Sequence, residues 1–93
     1  MAKKIDEKVY EEVINALNTF CKEVADANGE MESAAKDCVN NCEQDEASIK
    51  SKEKVDKCIT SFQAAIEKAQ KLAKAMQEEL TQAQEAAKKA ENI

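Results

Sequence analysis

The chain has 93 residues, 14 basic against 19 acidic, and a net charge of −5 with no histidine. That size allows one domain. The acidic balance argues against nucleic acid and against anionic membrane surfaces. All the basic residues are Lys, so the chain lacks the planar guanidinium forks that clamp phosphates and carboxylates bidentately.

With no Pro and a single Gly, Gly29, almost every residue tolerates a helix. Ala, Lys, Glu and Gln dominate, and aromatics are 3% of the chain. The composition predicts an all-α protein. No run of 18 apolar residues is present, so no membrane span is expected. The start, Met1-Ala2-Lys3-Lys4-Ile5-Asp6, lacks the apolar segment of a signal peptide. A secreted form would therefore be the mature chain behind an added Met.

Apolar residues at Ile5, Val9, Val13, Leu17, Phe20, Val24 and Ala27 step by three and four. They predict a first helix over about 5–27. Asn28-Gly29 reads as its stop, since both residues accept the left-handed backbone past a C-terminus. A second helix is expected over about 30–43, with Glu30 and Glu32 in its first turn suiting the helix dipole. Its apolar face carries Met31, Ala34 or Ala35, Cys38, Val39 and Cys42. The acidic stretch Glu43-Gln44-Asp45-Glu46 reads as a connection, and Asp45, Ser48 or Ser51 could cap the next helix.

From Val55 a regular four-three alternation continues through Ile59, Phe62, Ile66, Ala69, Ala73, Met76, Leu80, Ala83, Ala87 and Ala90. It predicts a long helix over about 51–91. Thr81 with Gln84 is a capping-box pattern that would allow a break near residue 80. The expected architecture is a single helical domain over 1–93: an antiparallel bundle of three to four helices with a long C-terminal helix. A monomer is favoured, with a dimer through the 55–90 seam as the other outcome.

Large apolar side chains are few, and domains this small often need covalent staples. The candidates are Cys21, Cys38, Cys42 and Cys58. One cysteine on each outer helix and two on the middle one suit two disulfides. Register leaves two pairings open: Cys21–Cys38 with Cys42–Cys58, or Cys21–Cys42 with Cys38–Cys58. A zinc site is the weaker reading, because only one cysteine pair is close and no His is present. Disulfides would imply secretion or another oxidising compartment.

No catalytic equipment is apparent, and no cofactor or metal is expected. Without His the usual general base is missing, and the serines have no base beside them in the sequence. The pairs Glu53–Lys57, Glu67–Lys71 and Glu85–Lys89 read as ordinary helix-surface ion pairs. Two binding features stand out. Glu43, Asp45 and Glu46 could meet a basic protein surface, although a solvated loop is the simpler reading. Phe20, Ile59, Phe62 and Ile66 could line an apolar ligand cavity, although a filled core is the simpler reading.

The Cys21 … Cys38-x₃-Cys42 … Cys58 framework, with the small size and helical content, resembles the small salivary proteins of blood-feeding flies, in particular the sand fly anticomplement family. Cys38-x₃-Cys42 also resembles the helical element of insect odorant-binding proteins, which carry six cysteines at longer spacings. The salivary resemblance implies a secreted, extracellular inhibitor of a host defence cascade, with the classical complement pathway the specific expectation and a complement protein the partner. The alternatives are a carrier of a small apolar ligand and an intracellular coiled-coil interaction module.

Overall fold

The structure is a computed structural model that describes residues 5–41 and 45–91. It contains two long helices, α1 over Glu7–Asn41 and α2 over Glu46–Glu91, packed antiparallel as a hairpin. The rod measures 73 × 17 × 15 Å. At 1.5 Å per residue α1 is about 52 Å long and α2 about 69 Å. Each helix begins on an aspartate cap. Asp6 Oδ1 accepts from the Val9 amide at 3.2 Å, and Asp45 Oδ1 accepts from the Ser48 amide at 2.7 Å. Of the three candidate caps before α2, Asp45 is the one used.

The expected bundle of three to four helices is corrected to this two-helix hairpin. The difference lies at Asn28-Gly29, which does not stop α1. Gly in a helix interior costs only about 1 kcal/mol. The seam continues in phase across it: Ile14, Leu17, Cys21, Val24, Asn28, Met31 and Ala35 are all buried or half-buried. Burial along an uninterrupted stripe outweighs one local stop signal. α2 likewise continues through Thr81, whose hydroxyl meets the Gln77 amide at 3.4 Å. Leu80, one residue earlier, is the most buried apolar residue described, at 3% exposure.

The two expected disulfides are also corrected. Among the described residues no two cysteines approach bonding distance, and Cys21 and Cys58 carry free thiols. Both expected pairings need both of these residues bonded. Helix continuity explains the failure, because Cys21 and Cys38 now share α1 and sit about 25 Å apart along it. Across the hairpin, Cys21 Sγ lies 3.7 Å from the Ile66 carbonyl and Cys38 Sγ lies 4.0 Å from Ser48 Oγ. Cys58 therefore falls midway along α2 between the two, more than a helical turn from each. Cys42 lies outside the described residues.

Those two contacts and the Tyr10–Glu79 hydrogen bond of 2.9 Å fix the register. They leave the last turns of α2 without α1 opposite, and residues 85–91 are exposed. Nowhere among the described residues is a large side chain fully enclosed. Two helices cover each other along one stripe only, so every seam residue keeps an edge toward solvent.

Candidate interaction surface

Packing the helices along a seam leaves two flanks, one on each side. Residues seven apart share a flank, because one heptad, two helical turns, returns a side chain to the same side of the supercoil. The first flank is identified at the closed end by a groove of about 300 Å³ lined by Met31, Ala34, Ala35 and Cys38 of α1 and by Ser48, Ser51, Lys52 and Val55 of α2. Ala34 and Ser51 stand on its two rims. Stepping back by sevens from Ala34 gives Ala27, Phe20 and Val13; stepping forward from Ser51 gives Cys58, Ala65 and Leu72. At the open end the same flank carries the Tyr10–Glu79 bond.

This first flank is apolar and open. Phe20 is 40% exposed and Leu72 51%. Val9, one turn before Val13, is 48% exposed, and Phe62, on the edge of the seam beside this flank, is 40% exposed. Both phenylalanines of the chain thus stand half in water on one side of the rod. The other exposed large apolar residue described, Ile49, lies on the opposite side.

The second flank is polar. Lys52 Nζ meets Asp56 Oδ2 at 2.7 Å, and this hydrogen bond, with the charges of Asp56 and Glu32 nearby, holds the ammonium pKa above its usual value. Stepping by sevens from Asp56 gives Gln63, Gln70, Gln77 and Gln84. At the start of α1, on the first flank, Tyr10 donates to the Glu79 carboxylate. That bond to an anion raises the phenol pKa, since losing the proton would place two negative charges together. Between the flanks Asn28 is 6% exposed, and its amide nitrogen and oxygen have no hydrogen-bond partner.

The residues singled out from sequence fare unevenly. Asp45 is engaged as the α2 cap, and its hydrogen bonds from Ser48 lower its pKa. Glu46 pairs with Lys50 at 3.1 Å on an exposed surface. Glu43 lies outside the described residues. Of the four residues proposed to line an apolar cavity, Ile59 and Ile66 sit in the seam, while Phe20 and Phe62 face outward. They do not enclose a common space. The described residues include no group of three or more His, Cys, Asp or Glu side chains able to hold a metal, and no described helix is long and apolar enough to cross a membrane.

The apolar flank was half visible in the sequence. In the sequence, the stripe Val9, Val13, Phe20, Ala27 merges with Leu17 and Val24 into one apparent core face. It is a second stripe, displaced by one position from the seam of Ile14, Cys21 and Asn28. The apolar face of α1 is therefore wider than the stripe that α2 covers. Comparison with known proteins brings no matching family model, no matching curated protein and no matching solved structure.

Proposed function

We propose that this chain is a coiled-coil interaction module, a helical hairpin that presents its apolar flank to a helical partner. The observation that carries this reading is that four of the five exposed large apolar residues described, Val9, Phe20, Phe62 and Leu72, share one side of the rod, while the other side carries Ile49 among glutamines and charges. A contiguous apolar strip rimmed by polar residues is the mark of a docking surface.

The test is whether the flank is needed for folding. Phe20→Glu with Leu72→Glu should keep the helical circular-dichroism signal and the melting temperature of the dilute, monomeric chain. Loss of helicity at that dilution would place the flank in the folding core and overturn the reading. The host-defence reading drew its support from the two-disulfide framework, which the hairpin does not form. Inhibition of antibody-triggered haemolysis at micromolar protein is the result that would restore it.

A further inference from the structure

Resting on that reading, we propose that the partner is a second copy of this chain, laid flank to flank with both closed ends at the same end, to make a four-helix bundle. In this arrangement α1 of each copy packs against α2 of the other, antiparallel, and every residue keeps its level along the rod.

Three properties of the flank point to this occupant. The first is shape. Residues at one level meet, so Phe20 of one copy lies over Ala65 of the other, and Val13 lies over Leu72. Large side chains meet small or medium ones, which lets the layers interdigitate. The exposed apolar residues are concentrated toward the open end, and this orientation lays apolar against apolar.

The second is charge. Three residues beyond Phe20, Ala27 and Ala34, on the outer edge of the flank, α1 carries Glu23, Glu30 and Asp37. The matching edge of α2, three residues beyond Ser51 and Ala65, carries Lys54 and Lys68. All five are exposed. Placing α1 over the second copy's α2 sets Lys54 between Glu30 and Asp37, and Lys68 within about one helical turn of Glu23. The reversed orientation, closed ends apart, would set α1 on α1 and align acid with acid. Charge therefore selects both the partner and its direction.

The third is area. The flank is about 50 Å long, from the α1 rise, and up to 17 Å across. It thus offers about 800 Å² per copy, the usual size for a stable specific interface. That is roughly a tenth of the 7446 Å² surface of the chain.

The experiment is sedimentation equilibrium of the full chain from 1 to 200 µM, run beside two sets of variants. A dimer of twice 10.3 kDa is expected. Phe20→Glu with Leu72→Glu should weaken it at least 100-fold, and the same chain should stay helical when dilute. Glu23→Lys with Glu30→Lys should weaken it about tenfold, and an equimolar mixture with the Lys54→Glu, Lys68→Glu variant should regain a dimer. A chain that stays at 10.3 kDa throughout overturns the self-association and leaves the module reading standing. A dimer indifferent to the flank substitutions overturns this interface. A dimer weakened by the flank substitutions but not regained by charge mixing overturns the orientation.

Discussion

The two flanks of this hairpin are built on the same seam by the same helices, yet one is apolar and the other polar. Position by position the contrast is sharp: Phe20 and Leu72 on one side, Gln63, Gln70 and Gln77 on the other. A hairpin needing only solubility could carry glutamines on both sides. If the proposed association holds, folding and association use different stripes of the same helix, and substitutions can separate them.

The largest separation should come from paired charge insertions. Glutamates at Phe20 and Leu72 should weaken self-association at least 100-fold, whereas Gln63→Glu with Gln70→Glu should change it less than about threefold, both read by sedimentation. Equal losses from the two flanks would erase the distinction. Next, Leu80→Ala strikes the seam beneath both flanks. Leu80 is 3% exposed, and truncating a buried leucine costs about 2–5 kcal/mol. The lower half of that range is expected, because a two-helix seam relaxes easily into the space. Urea denaturation of the dilute chain measures it.

Asn28→Leu should act in the opposite direction. An unpartnered buried amide costs about 1–3 kcal/mol, so the substitution should stabilise the hairpin by about 1 kcal/mol or more while loosening the register that a lone seam amide enforces. Gly29→Ala should add slightly less, about 1 kcal/mol, since a Cβ at Gly29 meets nothing within 4 Å. Destabilisation by Gly29→Ala would show that the glycine serves some contact other than the helix.

The smallest effect concerns pH. Asp45 has its pKa lowered by the Ser48 hydrogen bonds. Its contribution is therefore present above the unfolded carboxylate value, near 3.9, and is lost as pH falls through the lower folded value. Asn caps a helix about as well as Asp but does not titrate. Asp45→Asn should thus melt like the parent at pH 7 and lose less on going to pH 3. A parallel acid loss in both would remove Asp45 from the pH response.

The helical nature of the chain and the α2 stripe were legible in the sequence, because Ala, Glu and Lys dominate and the four-three alternation from Val55 is uninterrupted. The hairpin was not. Asn28-Gly29 satisfies every local rule for a stop, and only the seam phase running from Val24 through Asn28 to Met31 overrides it. The cysteine pairings failed with it, since their geometry assumed a reversal at residue 29. The flank was hidden for a related reason. Val13 and Ile14, or Phe20 and Cys21, are adjacent in sequence and equally compatible with a core, and only the packed partner decides which of each pair turns inward.

The exposed last turns of α2 have a consequence of their own. A helix that outruns its partner is a rigid arm. Each residue along it advances about 1.5 Å and turns about 100°, so anything joined beyond Glu91 would be held at an angle set by residue count. In a bundle with both closed ends together, two such arms would emerge side by side from the far end. Removing one residue from either arm would swing its cargo by more than a quarter turn without touching the bundle.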